Sequence, residues 1–205
     1  MENREVVCDD GVARCPWGVS PAEYRQYHDE EWGRPVGEEN RIYEKLCLEG
    51  FQSGLSWLTI LRKREGFRKA FASFDPAVVA TFDDGDVESL LRDPSIVRHR
   101  GKIEATIANA RGVIELRSGP TSLAGLVWAH EVPVRKAPLS TSDLVGSTPG
   151  SKALSKQLRQ YGFRFVGPTT VYAAMQSLGV VNDHLQGCHF RAVALAERAR
   201  FSPPT

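Results

Sequence analysis

Two pairs of soft ligands stand near opposite ends of this 205-residue sequence. Cys15 and His28 lie near the start, and His184-Leu-Gln-Gly-Cys188 places a second histidine and cysteine one helical turn apart, a spacing at which both can face one ion. Together they form a Cys2His2 set. Such a set closes a tetrahedral zinc site and leaves no position for a catalytic water, so the ion would be structural. It would tie segments of about 13–30 and 182–190 to each other. Spacing alone equally allows buried cysteines and core histidines held by hydrogen bonds. Cys8 and Cys47 are left over, and with no secretory leader four cysteines argue against a disulfide framework.

The segment Cys47-Leu-Glu-Gly-Phe-Gln-Ser-Gly-Leu-Ser-Trp57 combines a carboxylate, two glycines and a tryptophan just before a helix. It reads as a helix–turn–helix junction with an exposed glutamate, or as a pocket for a planar base. In the second reading Trp57 is a stacking face and Glu49 accepts amine hydrogens from the base edge or balances its charge. Trp17, Tyr24, Tyr27 and Trp32 fall in one N-terminal stretch and could complete an aromatic wall, which attracts a cationic purine more than a neutral one. A third segment, Gly162-Phe163-Arg164-Phe165-Val166-Gly167-Pro168, joins two helical patterns and suggests a helix-hairpin-helix over about 151–179. Its glycine-bounded turn and the following helix N-terminus could hold a DNA phosphate on backbone N–H groups. Helical hairpins inside plain cores share this pattern.

These groups need a scaffold, and its signals are helical throughout. No stretch reaches the roughly 20 apolar residues of a membrane span, the N-terminus has no leader pattern, and the chain reads as cytoplasmic. With 41% apolar residues it can bury a real core, as a single unit of two helical lobes. A net charge of +1 hides acidic excess over 28–49 and basic runs over 62–69, 98–102 and 152–164. No period-two run of β-branched residues occurs, so the fold class is all-α. Ser20-Pro21-Ala22-Glu23 predicts a first helix with an N-cap serine, proline at its first position and a capping-box glutamate. Further helices are predicted around 40–50, 56–73, 76–81 and 86–92. Another over 101–117 carries Ile103, Ile107, Ala110 and Ile114 on one face. Residues 130–150, rich in Pro, Ser and Thr, form the connection to the hairpin helices marked by Leu154, Leu158 and Tyr161 and by Val171, Met175 and Leu178.

Taken in order, Cys15-Pro-Trp17, Tyr27-His-Asp-Glu-Glu-Trp-Gly33, Leu48-Glu-Gly50, Gly54-Leu-Ser-Trp57, Arg98-His-Arg-Gly-Lys-Ile103, Gly162-Phe-Arg-Phe-Val-Gly167 and Val181-Asn-Asp-His184 resemble the 3-methyladenine DNA glycosylase I family over roughly residues 13–190. The resemblance implies an all-α helix-hairpin-helix glycosylase with zinc ligands Cys15, His28, His184 and Cys188. It implies a base pocket around Glu49 and Trp57, with Trp17, Tyr24, Tyr27 and Trp32 as its aromatics. Leu55 is then the candidate wedge into the duplex, while Gly162, Gly167, Arg164 and Lys102 are the candidate DNA contacts. Phe51 stands where the family tends to carry a smaller or polar residue, which marks a different pocket rim, and the tail after Phe190 matches nothing. The implied reaction is hydrolysis of the N-glycosidic bond of 3-methyladenine in alkylated double-stranded DNA by a monomer without an obligate partner.

Two other readings stay open. A zinc-stabilised helix-hairpin-helix module could bind DNA without catalysis, and a bifunctional glycosylase/lyase would need a lysine nucleophile near the hairpin. Against glycosylases resembling endonuclease III, that lysine position holds Thr169, and Asn182 stands where an aspartate is needed. No strand cleavage is therefore expected.

Overall fold

The computed structural model describes residues 4–131 and 136–204. Among these, the fold is helical: α1 (Ala22–Glu30), α2 (Glu39–Gln52), α3 (Trp57–Ala70), α4 (Pro76–Val79), α5 (Asp84–Arg92), α6 (Arg100–Arg117), α7 (Leu123–Trp128), α8 (Pro149–Gln160), α9 (Pro168–Ser177) and α10 (His189–Arg198). The one extended feature described is a short antiparallel pair, Val6–Val7 with Ala13–Arg14. No described helix is long and apolar enough to cross a membrane.

The predicted helix starts hold where the caps are local. Asp75 accepts from the Ala77 amide ahead of Pro76, and Ser56 accepts from Thr59 at the head of α3. The start of α1 needs correction. Pro21, not Ser20, stands at the cap and, having no polar side-chain atom, makes no cap bond, while Glu23 pairs with Arg62 (2.8 Å). The apolar face of α6 turns inward as the period requires, with Ile103, Ile107 and Ala110 buried and Val113 taking the inner place expected of Ile114.

At the centre lies α2, buried without a break from Ile42 to Phe51 and packed on α3, α6, α7 and α9. A helix enclosed on every side buries its polar residues too, so Glu44, Lys45 and Glu49 lie inside the protein. One apolar core runs from α2 through α6 and α7 to α8 and α9. A separate small cluster of Cys15, Leu185 and Cys188 joins the two ends of the chain.

The helix-hairpin-helix forms as predicted, with α8 and α9 joined by residues 161–167. Gly162 and Phe165 both have positive φ, 76° and 53°. Asn109 of α6 grips the turn by accepting from the Arg164 amide (2.7 Å) and donating to the Arg164 carbonyl (3.2 Å). Gly112 makes the approach possible, since a Cβ there would lie 2.4 Å from the Tyr161 carbonyl oxygen.

Two helices had no clear signal in the sequence. Short α7 is buried along its whole length, and α10 shows one fully buried residue, Ala194, so neither writes a wide apolar stripe. The tail beyond Phe190 is anchored: Arg198 pairs with Glu131 and lies over Trp128, while Phe201 packs on Trp128 and Glu197 pairs with Arg34. Within the predicted 130–150 connection, residues 132–135 lie outside the described residues. The rest includes a 3-10 turn at Thr141–Asp143 and the Thr148 cap of α8.

Candidate functional site

Cys15, His28, His184 and Cys188 come together from the chain's two ends, all buried, with their ligand atoms within 4.8 Å of one another. Cys188 Sγ lies 3.5 Å from His184 Nδ1 and 3.6 Å from His28 Nε2, and Cys15 Sγ is 3.8 Å from His184 Nδ1. Tetrahedral bonds of about 2.0–2.3 Å to nitrogen and sulfur imply edges of roughly 3.3–3.8 Å, so the set has the size of a metal site. Each histidine is oriented from behind. His28 Nδ1 meets Asp29 Oδ1 at 2.8 Å, and His184 Nε2 meets the Trp32 carbonyl at 3.0 Å. Arg14 in turn clamps Asp29 (2.8 Å), and the Leu185 amide donates to Cys15 Sγ (3.4 Å). The hydrogen bond from Cys15, with the two imidazoles adding, holds the Cys188 thiol far below its ordinary value. A group this dry and this rich in soft donors can bind a metal.

A different chemistry sits on α2. Glu49 is 6% exposed and has no hydrogen-bond partner among the described residues, yet it lines a cleft of about 280 Å³ with Gln52, Ser53, Gly54, Leu55, Thr169, Thr170 and Ala173. Burial pushes its carboxyl up to about 7, with the charge of Lys45 pulling the other way. Four residues earlier, the buried Lys45 donates to Tyr27 Oη (2.7 Å). Trp57, at the first turn of α3, packs on Tyr27 with ring centroids 5.4 Å apart, and its buried indole N–H has no partner among the described residues. Tyr24 Oη accepts from the Leu58 amide (2.9 Å), which pins the start of α3 to α1. Trp17 meets Tyr24, Tyr27 and Trp32 edge-on or tilted. The result is an aromatic wall beside an unpaired carboxylate.

At the mouth of this cleft the 53–56 turn leaves Leu55 41% exposed, with Gly54 supplying a positive φ of 81°. The hairpin tip borders the same helix, since a Cβ on Gly50 would touch Phe165 Cβ at 3.2 Å. Arg164 is exposed, and among the described residues the amides of Phe165, Val166 and Gly167 have no intramolecular acceptor.

The profile of the methyladenine glycosylase family matches residues 17–192. The chain belongs to this family. It is 45% identical to DNA-3-methyladenine glycosylase 1 of Escherichia coli K12 over 180 residues, covering 86% of this chain and 96% of that one. It is 41% identical to DNA-3-methyladenine glycosylase of Haemophilus influenzae over 180 residues, or 86% and 97% of the two chains. A crystal structure of 3-methyladenine DNA glycosylase I superposes with a TM-score of 0.83 at 44% identity, over 86% of this chain and 98% of the other. The Staphylococcus aureus enzyme, described for its recognition of 3-methyladenine, also gives 0.83, at 34% identity over 87% and 96% of the chains.

Of the residues this family resemblance singled out, the fold brings Glu49, Trp57, Tyr27, Tyr24 and Trp17 to one place and the four metal ligands to another. Trp32 stands between the two groups. Its ring packs against His28 and His184, and its carbonyl holds His184, which ties it to the metal group. Lys102, predicted to meet a phosphate, is buried. Its ammonium donates to the carbonyls of Phe51 (2.8 Å) and Ser53 (2.5 Å), capping the end of α2 and holding the turn that carries Leu55. Phe51, predicted at the pocket rim, faces the opposite way and packs on Phe67 (4.5 Å) and Phe71 (6.0 Å) in the core. Lys45, Asn109 and Phe165 were not singled out beforehand. A lysine within a run of mixed charges reads as a solvated position, and only the enclosure of α2 reveals it as buried.

Proposed function

We infer that this chain is a DNA-3-methyladenine glycosylase that flips the damaged nucleotide out of alkylated double-stranded DNA and hydrolyses its N-glycosidic bond, leaving an abasic site. The observation that carries the reading is Glu49, a buried carboxylate with no hydrogen-bond partner among the described residues, which lines a cleft and whose charge reaches Tyr27, in a chain of this family. Alkylation at N3 makes the purine cationic, so it departs neutral when the bond to C1′ breaks and needs little protonation. Recognition of the extruded base therefore does most of the catalysis. Trp57 stacks on the base, Tyr27, Tyr24, Trp17 and Trp32 complete or support the aromatic wall, and Glu49 accepts from the base edge and balances its charge. Leu55 fills the gap left in the duplex. The amides of Phe165, Val166 and Gly167 hold a backbone phosphate, with Arg164 adding charge, while those of Gly162, Phe163 and Arg164 are spent inside the protein.

The Cys2His2 group holds one structural zinc, which joins the ends of the chain and supplies no chemistry to the reaction. The protein is taken as a cytoplasmic monomer. The deciding experiment is chromatography of bases released from methylated DNA. Release of free 3-methyladenine supports the reading, and binding without release overturns it.

DNA binding should weaken only modestly with salt, because the turn amides carry no releasable charge and Lys102 is committed to α2. Each phosphate neutralised by a cation such as Arg164 adds about 0.9 to the log–log slope, so a slope near 9 would require about ten such contacts and contradict a hairpin-centred footprint. Strand cleavage should be absent. Thr169 lines the cleft at the position of the lyase lysine and has no amine, and Asn182 is occupied with the Arg191 carbonyl and the His184 amide. Asp183, which could have replaced it, accepts from Tyr172 (2.5 Å) and Gln176 (2.8 Å) inside the core. Borohydride should trap no covalent complex, and product DNA should stay full length until alkali is added.

A further inference from the structure

In the turn between α8 and α9, successive carbonyls from Arg164 to Val166 face the protein. Asn109, buried on α6, donates to the Arg164 carbonyl (3.2 Å), and Ser155, buried on α8, donates to the Val166 carbonyl (2.6 Å). Between them the Phe165 carbonyl oxygen faces α2, 3.5 Å from where a Cβ on Gly50 would stand. A trans peptide holds its C=O and N–H on opposite sides, so each carbonyl drawn inward turns the next amide outward. The amides so turned are those of Phe165, Val166 and Gly167, which have no intramolecular acceptor among the described residues. Asn109 completes its grip by accepting from the Arg164 amide (2.7 Å), and its own orientation is set by Cys47 Sγ, 3.9 Å from Nδ2. Phe165 holds a positive φ of 53° without being glycine, a strain that persists only where the surroundings impose it. Asn109 and Ser155 are each 2% exposed, so they act on this turn from inside the protein.

We propose that Asn109 and Ser155 are positioning residues for DNA binding: by holding the Arg164 and Val166 carbonyls inside the protein, they aim the Phe165, Val166 and Gly167 amides at one backbone phosphate. This rests on reading the hairpin as the phosphate contact. An anion needs donors with no acceptor beside them. Were a peptide of the turn free to rotate, a carbonyl oxygen would replace an amide at the surface and repel the phosphate. A loose turn would also have to be ordered at every binding event, and that cost would be taken from the affinity. Two buried side chains remove both penalties before DNA arrives. Amides carry no charge and release no counterions, so this contribution does not vary with salt, unlike that of Arg164. Neither side chain lines the cleft that holds Glu49. Their influence therefore falls on affinity for the DNA backbone and leaves recognition of the base untouched.

The test measures two affinities: that for a duplex carrying a tetrahydrofuran abasic analogue, by fluorescence anisotropy over a range of salt, and that for free 3-methyladenine, by quenching of tryptophan fluorescence. Asn109→Ala and Ser155→Ala should each weaken duplex binding by roughly tenfold, the loss expected of one hydrogen bond to a charged group. The loss should be equal at every salt concentration, giving log–log lines parallel to wild type, while affinity for the free base stays at the wild-type value. Arg164→Ala should instead flatten the line by about 0.9. Ser155→Ala carries the test if Asn109→Ala fails to fold. Gly167→Pro probes the hairpin reading itself. The φ of Gly167 is −63°, already proline's, so the change deletes one outward amide with little strain and should weaken duplex binding. Wild-type duplex binding by Asn109→Ala and Ser155→Ala, beside a weakened Gly167→Pro, would overturn the positioning roles alone. Wild-type duplex binding by Gly167→Pro would remove the hairpin from the DNA contact and the proposal with it. Equal losses for duplex and free base would reduce both side chains to general supports of the fold and overturn the proposal as well.

Discussion

Single-turnover excision of 3-methyladenine should fall by roughly one to two decades when Glu49 is replaced by glutamine, the loss expected when one buried charge-assisted hydrogen bond disappears from the transition state. Glutamine is the cleaner probe, because alanine would leave the Lys45 ammonium buried beside a void. Trp57→Ala should cost a similar amount, since base–aromatic stacking contributes about 1–3 kcal/mol per base. The fold should survive both changes, as neither residue is one of the buried members of the apolar core, against which Trp57 packs from its edge. The pH profile separates a charge role from a packing role. Burial raises the Glu49 carboxyl to about 7, so its anion forms only as pH climbs through that value, and excision should rise with it. The effect on stability has the opposite sign. Between the ordinary carboxyl value of 4.5 and about 7 the native state binds the extra proton, so raising pH through that window costs stability. Glu49→Gln should lose the acid limb of the rate profile and this stability slope together. Wild-type rates in both variants would move the base site elsewhere.

How far the sequence spoke for itself depended on whether a feature is local. The helix starts near 56 and 76 and the turn signals of the hairpin act within a few residues, and each was legible. The metal ligands were legible as types and spacings, but their meeting depends on α1 and the segment before α10 packing together, so the bare spacing left core burial open. Lys102 was misread for a related reason. In sequence it is a cation in a basic run, and nothing nearby shows that the end of α2 presents two unpaired carbonyls to it. Phe51 and Glu49 lie two positions apart on a helix buried all round, so periodicity could not say which of them faces the cleft. Enclosure has the same consequence for Lys45, whose neighbours Glu44 and Arg41 suggest an outer face.

Purified protein should carry one zinc per chain, and His184→Ala should abolish that stoichiometry and lower the melting temperature by about 10 °C, given that 1 kcal/mol shifts a domain of this size by roughly 2–4 °C. The size of the effect follows from where the site stands. Cys15, Leu185 and Cys188 form a cluster apart from the main core, so few apolar contacts would hold the two ends together once the metal is gone. Loss of one ligand also leaves a buried thiolate without its counter-charge. Cys8→Ser and Cys47→Ser should keep the metal, because neither thiol belongs to the group. Base preference should change less than stability. A closed site makes no contact with the base, and its influence reaches the cleft through α1, where Tyr27 directly precedes His28. Below the melting temperature of the variant, then, 3-methyladenine should still be the base released, at a rate limited by how well Tyr27 and Lys45 keep their places. Metal-free protein with the wild-type melting temperature would show that the four side chains hold the ends together unaided, as hydrogen-bonded core residues, and would remove zinc from the account.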